Sequence, residues 1–157
     1  MDKPQTELCV RLLGPADAER LCAADPDTFD APVQPALAAA FLHQQDTHAI
    51  AAALHGERVV GMATGVFYLH PDKPLSLFIA EVGVADAYLR QGLGRRLMDC
   101  LLAEGRRRGC AEAWVATEVD NAPARALYAA AGGELAPERF VVYAWPLGGE
   151  GGADAPR

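Results

Sequence analysis

The sequence predicts an α+β protein (mixed α/β), in which one sheet carries helices on both of its faces. Several runs of apolar residues are short or alternate, which is typical of strands, whereas leucines recur at helical spacing between residues 92 and 108. Glycine and proline turn signals separate these segments at short intervals. A length of 157 residues with 51% apolar residues suits one globular domain, which we expect to span residues 1–147.

The first half of the chain is expected to form a strand, two helices and three further strands. Gly14-Pro15 begins the first helix, and the turn-rich acidic segment 25–32 separates it from the second. Residues 55–57 predict a tight hairpin turn, and residues 71–74 interrupt the chain again. The predicted elements are the strand 8–13, the helices 14–24 and 35–44, and the strands 47–54, 58–69 and 75–84. The last strand is so apolar that we expect it to be buried on both faces.

The second half is expected to alternate helices and strands. A helix over 92–108 ends at Gly109, a strand follows over 111–117, and a helix over 121–131 ends at Gly132-Gly133. Residues 140–145 predict a last strand, which makes the order β-α-α-β-β-β-α-β-α-β. The glycine-rich residues 148–157 have almost nothing to bury, and we expect them to be a disordered tail.

The charge balance excludes some partners and favours others. The chain has 14 basic and 21 acidic residues and a net charge of −7. This argues against a nucleic-acid ligand, because such binding depends on neutralised phosphates, and it suits a cationic small molecule. The N-terminus has no apolar signal core and no apolar run is long enough to span a membrane, so we expect a cytoplasmic protein without a membrane partner.

Cysteines, histidines and a basic run carry no predicted chemistry. The four cysteines lack a C-x-x-C spacing and have no partnered histidines, so we expect neither a metal site nor a disulfide framework. The arginines at 106–108 lie in the last turn of a predicted helix, where cations oppose the negative end of the dipole. The sequence leaves open whether the chain forms a homodimer.

A glycine-containing loop precedes the longest predicted helix. Residues 90–95 read Arg-Gln-Gly-Leu-Gly-Arg and join the central strand to that helix. Two glycines allow a ligand to approach the backbone, and the free amides of the first helical turn favour an anion such as a pyrophosphate. The third glycine of a dinucleotide fingerprint and the Gly-Lys-Ser/Thr end of a P-loop are both missing.

A second motif begins the last predicted helix. Residues 121–128 read Asn-Ala-Pro-Ala-Arg-Ala-Leu-Tyr, with Asn121 or the preceding Asp120 as the expected N-cap and a proline in the first turn. Small residues share one face with Tyr128, which would let the helix lie close to a flat or narrow ligand. Taken alone, the pattern also fits an ordinary amphipathic helix.

Together, the two motifs and the elements around them resemble the GNAT superfamily of N-acetyltransferases. The order is a strand, [Q/R]-x-G-x-G before a helix, a further strand, and then N-x-x-A-x-x-L-Y. The resemblance extends from the first strand to Trp145. The resemblance implies a central mixed, mostly antiparallel sheet of about six or seven strands, about four flanking helices, and acetyl-CoA as co-substrate without a metal. It implies pyrophosphate at the glycine loop, pantetheine along the strand 81–84, and a thioester near Asn121 and Tyr128. The implied acetyl-CoA contacts are Val82, Gly83, Val84, Arg90, Gln91, Gly92, Leu93, Gly94, Arg95 and Asn121. Leu89 stands where the family often has Gln or Arg, so Arg90 is expected to take over that contact.

Within that superfamily, the chain is similar to the small aminoglycoside 3-N-acetyltransferases of the gentamicin-modifying kind. The similarity rests on the Val59-Val60-Gly61 hairpin, the Phe78-Ile79-Ala80-Glu81 strand, the Leu-Arg-Gln-Gly loop and the Ala-Leu-Tyr-Ala helix. It implies an aminoglycoside acceptor that is acetylated at its 3-amine. The alternative acceptors are a polyamine, an amino acid or a protein amine, and the alternative function is a non-catalytic module that senses acyl-CoA.

The implied reaction assigns roles to particular side chains. An amine is mostly protonated at neutral pH, and a carboxylate can take its proton, directly or through a water. Glu81, at the start of the implied pantetheine strand, is the candidate. A backbone N–H near Val82 is expected to receive the oxyanion, and the Tyr128 hydroxyl to protonate the leaving thiolate. Gly83 indicates a bulge or a close ligand approach in mid-strand. The carboxylates expected to bind a cationic acceptor are Glu118, Asp120 and Asp30.

Overall fold

The computed structural model describes residues 7–148, which fold into one sheet with helices packed on both faces. The strands are β1 (Leu8–Leu12), β2 (His48–His55), β3 (Arg58–His70), β4 (Lys73–Val84) and β5 (Glu112–Val115). The α-helices are α1 (Ala18–Cys22), α2 (Pro35–His43), α3 (Leu93–Arg107) and α4 (Ala122–Ala130). Short 3₁₀ turns at Pro15–Asp17, Pro26–Thr28 and Asp86–Tyr88 lie in the connections. The α+β class predicted from the sequence is confirmed.

The sheet has the strand order β1-β2-β3-β4-β5. Neighbouring strands are antiparallel except for β4 and β5, which are parallel. The predicted hairpin is formed by β2 and β3, where His55 pairs with Arg58 across a two-residue loop. Gly56 takes a φ of 62°, which only glycine adopts at little cost, and this allows the tight turn.

Two apolar clusters hold the helices against the sheet. On one face, α3 buries its leucines against β2, β3 and β4, in a cluster that includes Ala51, Val60, Leu77, Ile79, Leu93, Leu97 and Leu101. On the other face, α1 and α2 cover the sheet through a cluster that includes Leu21, Leu42, Ile50, Ala52 and Met62. Burial of one large apolar side chain stabilises the fold by about 1.5–3 kcal/mol, so α3 and its leucine spacing anchor the glycine loop that precedes it.

The basic end of α3 is a structural feature. The Glu104 side chain is buried and accepts hydrogen bonds from the guanidinium groups of Arg107 and Arg108 at 2.7 Å. Arg108 also lies over the ring of Phe67, with 4.1 Å between its Cζ and the ring centroid. These two arginines therefore hold a buried carboxylate rather than a phosphate.

The last predicted strand is wrong. Residues 134–148 are exposed and carry no secondary structure, so the described sheet has five strands instead of six or seven. Apolar residues at 140–145 have the propensity of a strand, but a strand exists only where a neighbour completes its hydrogen bonds. The tail prediction for 148–157 falls, beyond Gly148, outside the described residues. Among residues 7–148, the model contains no helix whose length and apolar character would let it cross a membrane.

Candidate active site

A β-bulge at Ala80 of β4 lies next to the point where β4 stops pairing with the parallel strand β5. Thr64 pairs with Glu81 and the next residue, Gly65, pairs with Ile79, so Ala80 has no partner on β3. Strand β5 pairs with β4 only as far as Ile79 opposite Val115. Within the described chain, residues 80–84 of β4 therefore have no strand on their β5 side. A stretch of β4 backbone edge is left open there, beyond the end of β5.

The bulge also changes which face each side chain takes. Val82 and Val84 pack on the same cluster as α3, whereas Glu81 and Gly83 point to the opposite face, towards the connection between α1 and α2. Side chains from both faces thus meet at the opening. The expectation of a strand buried on both faces fails here, because Glu81, Val82, Gly83 and Val84 are only half-buried.

The N-terminus of α3 lies at the end of this strand. Gly92 is the N-cap, with a φ of 76°, and a Cβ placed there would meet nothing within 4 Å. The Arg96 amide donates to the Gly92 carbonyl at 3.1 Å, while the amides of residues 93–95 precede the first helical bond. Arg90, exposed and with a φ of 57°, is held in the left-handed region that favours glycine. Free amides beside an open surface make this helix terminus suitable for an anion.

Other parts of the predicted loop are occupied by the fold. A Cβ on Gly94 would lie 3.2 Å from both Cδ atoms of Leu127, so this glycine allows α4 to approach α3. The Arg95 guanidinium pairs with Asp99 at 3.0 Å and donates to the Ala130 carbonyl. Because the Arg95 side chain makes these contacts, its backbone amide is the group that it could offer to a phosphate.

The side chains of two further loop residues contact the protein itself. The Gln91 side chain donates from Nε2 to the Ala87 carbonyl at 3.3 Å, which closes its own loop. The Leu93 side chain is 2% exposed and belongs to the core beneath α3. The side chains of Gln91, Leu93 and Arg95 thus contact the protein itself, which leaves the backbone amides of residues 93–95 and the exposed Arg90 as the candidate anion contacts.

Glu81 lies in a cleft between the sheet and the α1–α2 connection. Its Oε1 accepts a hydrogen bond from the Asp30 amide at 3.3 Å, which brings together two residues 51 positions apart. Burial, and to a lesser degree the charge of Asp30, raises the pKa of Glu81, although the amide of Asp30 opposes the shift. A raised pKa makes a carboxylate a better proton acceptor at neutral pH.

The cleft itself is mostly apolar. It has a volume of about 400 Å³, and its walls include Phe29, Asp30, Val33, Leu37, Phe41, Thr64 and Glu81. The sequence analysis did not identify the apolar residues of this cleft. A signal for it was present in the sequence, namely the apolar residues on α2 and just before it. One of them, Leu37, is 62% exposed and therefore does not belong to the core.

The structure does not place the β-bulge that Gly83 indicated at that residue. A Cβ at this position would stand 2.2 Å from the backbone oxygen of Thr28. The glycine is therefore required by the 3₁₀ turn that packs against β4. The bulge lies three residues earlier, at Ala80, where the sequence gives no glycine to mark it.

Tyr128 lies on α4 and packs against the apolar cluster that Val82 and Val84 also contact. As predicted, Asn121 caps this helix, and its Oδ1 accepts from the Ala124 amide at 3.1 Å. Tyr128 is half-buried against the α3 cluster, and burial, followed by the nearby charge of Glu118, raises its pKa. The hydroxyl consequently stays protonated at neutral pH, as a proton donor must.

The predicted acceptor carboxylates fall in two places. Asp30 lines the cleft beside Glu81. Glu118 and Asp120 are exposed on the connection between β5 and α4, outside that lining. Hydrogen bonds from its own amide, the Asn121 side chain and the Thr117 hydroxyl (3.2 Å) lower the pKa of Glu118. Among residues 7–148, no three His, Cys, Asp or Glu side chains cluster as metal ligands would.

Most of the sequence matches a known protein family. Residues 18–132, which include the bulge, the glycine loop and α4, match the model of the acetyltransferase (GNAT) family. Among curated proteins, none matches the sequence.

Solved structures share the fold at low sequence identity. An aminoglycoside acetyltransferase, meta-AAC0020 from an uncultured soil metagenomic sample, solved with sisomicin, superposes with a TM-score of 0.76 at 18% identity, over 89% of this chain and 96% of that one. AAC(6')-Iy with the bisubstrate analogue CoA-S-monomethyl-acetylneamine gives a TM-score of 0.73 at 19% identity, over 89% and 99%. The ribosomal-protein-alanine N-acetyltransferase of Brucella melitensis biovar Abortus 2308 gives 0.70 at 16% identity, over 88% and 100%. At these identities, the likeness establishes the fold alone.

Proposed function

The chain belongs to the GNAT family of acetyltransferases, and from this premise we propose that it transfers the acetyl group of acetyl-CoA directly to a primary amine of a small cationic molecule. One observation carries the proposal. Within the described chain, β4 has no strand on its β5 side after Ile79, Glu81 lines the cleft on one face of this stretch, and Tyr128 packs on the same apolar cluster as Val82 and Val84 of the other face.

Acetyl-CoA fits this opening in two ways. The amides of residues 93–95, together with the exposed Arg90, would bind the pyrophosphate at the N-terminus of α3. The backbone of residues 80–84 would hydrogen-bond the amide groups of the pantetheine arm, as an added strand would. Val82 and Val84 would line the apolar side of that arm. The thioester would then lie between Glu81 and Tyr128.

The chemical step follows from the two pKa shifts. Glu81 takes a proton from the acceptor ammonium, and the free amine attacks the thioester carbonyl carbon. A backbone N–H near Val82 stabilises the oxyanion while the new C–N bond forms. When the C–S bond breaks, the Tyr128 hydroxyl gives its proton to the thiolate of CoA. The second proton lost by the attacking nitrogen, as it becomes the amide, restores the Tyr128 hydroxyl, and the proton on Glu81 is released to solvent. The raised pKa of Tyr128 keeps its hydroxyl protonated for its donation to the thiolate, and the raised pKa of Glu81 makes its ionised carboxylate a stronger base.

We propose an aminoglycoside as the acceptor. A net charge of −7 attracts polycations, and Asp30 and Glu81 supply carboxylates in the cleft. Glu118 and Asp120, on the connection between β5 and α4, would attract further ammonium groups. The solved relatives named with sisomicin and with an acetylneamine analogue support this choice of class. Acetylation at the 3-amine rests on the sequence similarity described above.

The cleft lining favours a second candidate acceptor. Apart from Asp30 and Glu81, its walls are dominated by apolar side chains such as Phe29, Val33 and Phe41. Such walls suit one amine on an apolar body, for example an apolar amino acid or a protein N-terminus, better than a sugar with many hydroxyl groups. The ribosomal-protein-alanine N-acetyltransferase has the same fold.

An acceptor panel with CoA thiol release as the readout tests both candidates. Gentamicin, sisomicin, spermidine, phenylalanine amide and an alanine-terminal peptide would be compared at equal concentration. Turnover confined to aminoglycosides supports the first candidate, with the acetylated nitrogen identified by NMR. Turnover confined to the apolar amines supports the second. Acetyl-CoA binding without turnover on any amine would instead indicate an acyl-CoA sensor.

Two variants test the chemical roles. Glu81→Gln should keep acetyl-CoA affinity but lower kcat by about 10²-fold or more, since general-base catalysis typically contributes that much. Tyr128→Phe should lower kcat with little change in that affinity. Glu19→Gln and Tyr68→Phe are matched controls on exposed residues outside the site. If both site variants stay within about threefold of the wild type, the barrier changes by less than ~1 kcal/mol and the roles are wrong.

The pH dependence gives a separate check on Glu81. Its base form is lost as pH falls through its pKa, which lies above the ordinary carboxylate value of 4.5. The kcat/KM of the wild type should therefore fall on the acid side at a higher pH than an ordinary glutamate would give. Glu81→Gln should lose this inflection, and its residual rate should rise with pH as the free amine accumulates. An unchanged inflection in the variant would assign it to another group.

A further inference from the structure

The 3₁₀ turn that precedes the glycine loop is tied to the end of a strand two places away in the sheet. Tyr88 ends this turn, and its hydroxyl shares a hydrogen bond of 2.8 Å with Nδ1 of His55, the last residue of β2. The two rings meet edge to face, with their centroids 5.6 Å apart. We propose that His55 and Tyr88 are positioning residues that hold the glycine loop in the conformation that binds acetyl-CoA, an inference that rests on the proposed function.

The path of the chain after β4 leads to this contact. The Ala85 amide donates to the Val60 carbonyl of β3 at 2.9 Å, so the chain turns back over β3 as soon as β4 ends. The Tyr88 amide then donates to the Ala85 carbonyl at 2.8 Å, and the Tyr88 side chain packs on the α3 cluster. The hydrogen bond to His55 of β2 fixes the end of this path.

The loop beyond Tyr88 needs an anchor because its backbone is unfavourable. Arg90 follows Tyr88 by two residues and has a φ of 57°, which is disfavoured for any residue except glycine. Residues 89–92 are exposed, and the core buries the chain again only at Leu93. The Gln91 side chain bonds within the loop and does not tie it to the sheet. The exposed stretch is therefore fixed from its two ends, by the His55–Tyr88 pair and by α3.

Loss of this pair should weaken acetyl-CoA binding without removing any group that touches the ligand. Arg90 and the amides of residues 93–95 act as one site only while the loop holds them towards one ligand position. If the loop also takes other conformations, the apparent Kd rises by the inverse of the fraction that can still bind. Glu81 and Tyr128 lie outside the loop, so an enzyme saturated with acetyl-CoA should keep its turnover rate.

Calorimetric titration with acetyl-CoA measures the expected loss of affinity. Tyr88→Phe removes only the hydroxyl, and His55→Ala removes its partner. Each should raise the Kd about three- to tenfold, the usual effect of one lost hydrogen bond. The double variant should bind about as weakly as His55→Ala alone, because both changes remove the same contact. His55→Asn should restore most of the affinity, since its amide group lies close to the position of Nδ1.

His70→Ala is the matched control for these variants. His70 is exposed and is the last residue of β3, as His55 is of β2, but it pairs with Asp72 in the β3–β4 hairpin. Its replacement should leave the Kd for acetyl-CoA unchanged.

Steady-state kinetics separates positioning of the loop from a general loss of structure. On an amine that the wild type acetylates, Tyr88→Phe and His55→Ala should raise the KM for acetyl-CoA by the same factor as the Kd. The kcat and the KM for the amine should stay within about twofold of the wild type. A merely structural role would lower kcat and raise both KM values together, and that result would overturn the proposal.

The titration also distinguishes failure of this proposal from failure of the proposed function, because it needs no acceptor. Equal Kd values for the wild type, His55→Ala and Tyr88→Phe would refute the positioning role and leave the proposed function intact. A wild type that does not bind acetyl-CoA would refute the proposed function, and the positioning role with it.

Discussion

Gly83→Ala separates two explanations for a glycine in the middle of the central strand. The added Cβ would lie 2.2 Å from the Thr28 backbone oxygen, 3.3 Å from the Thr28 carbonyl carbon and 3.4 Å from Met62 Cε. Because the nearest atom belongs to the backbone, the 3₁₀ turn Pro26–Thr28 or the strand itself must move by about 1 Å. Overpacking of this kind costs about 1–3 kcal/mol.

Chemical and thermal unfolding of the ligand-free protein measure this cost. A loss of 1 kcal/mol lowers the Tm of a domain of this size by about 2–4 °C, so a drop of about 2–12 °C is expected. Gly61→Ala on the neighbouring strand is the matched control. Its Cβ would meet flexible Leu97 Cδ1 at 3.2 Å and the Gly83 carbonyl oxygen at 3.3 Å, and it should cost less.

The alternative explanation predicts the opposite pattern. If Gly83 served only the approach of acetyl-CoA, Gly83→Ala would leave the unfolding free energy of the ligand-free protein unchanged and would raise the Kd for acetyl-CoA. That result would refute the packing explanation. Under the packing explanation, movement of the Pro26–Thr28 turn should also lower kcat. Asp30, whose amide donates to Glu81, lies two residues after that turn and would be displaced with it.

The other predictions concern a buried ion pair and a strained loop residue. Arg107 and then Arg108 lower the pKa of Glu104 to about 2 from 4.5, so this carboxylate contributes stability above pH 4.5 that is lost as pH falls towards 2. Glu104→Gln should therefore cost about 1–3 kcal/mol of unfolding free energy at pH 7, and the deficit relative to the wild type should shrink in urea titrations at pH 3; a constant deficit would contradict the assignment. Arg90→Gly should relieve the left-handed backbone and raise the unfolding free energy by up to about 1 kcal/mol, while calorimetry should find weaker acetyl-CoA binding; a loss of stability would show that the arginine side chain supports the fold instead.

The sequence by itself determined the elements whose causes are local. The leucine spacing of α3, the Asn121 cap of α4 and the Gly56 turn of the β2–β3 hairpin depend on neighbours within a few residues, and all three form as predicted. The basic run after Glu104 was also assigned to the helix end correctly. The family resemblance placed Glu81 on a strand and Tyr128 on the last helix, and both elements form.

Only the tertiary structure decided which residues meet at the site. The bulge at Ala80 is a property of the pairing between β3 and β4, and no residue type at that position marks it. The packing of Gly83 on Thr28 and of Gly94 on Leu127 joins residues far apart in the chain, and so does the hydrogen bond between Asp30 and Glu81.

The segment 140–145 illustrates the same division. Its apolar residues have strand propensity, but hydrogen bonds in a sheet are completed by another strand, and the described chain provides none for it. Helices satisfy their backbone within one segment, so local sequence predicts them well. Strands, bulges and glycine contacts depend on distant partners, and the sequence pattern alone does not specify which partner is met.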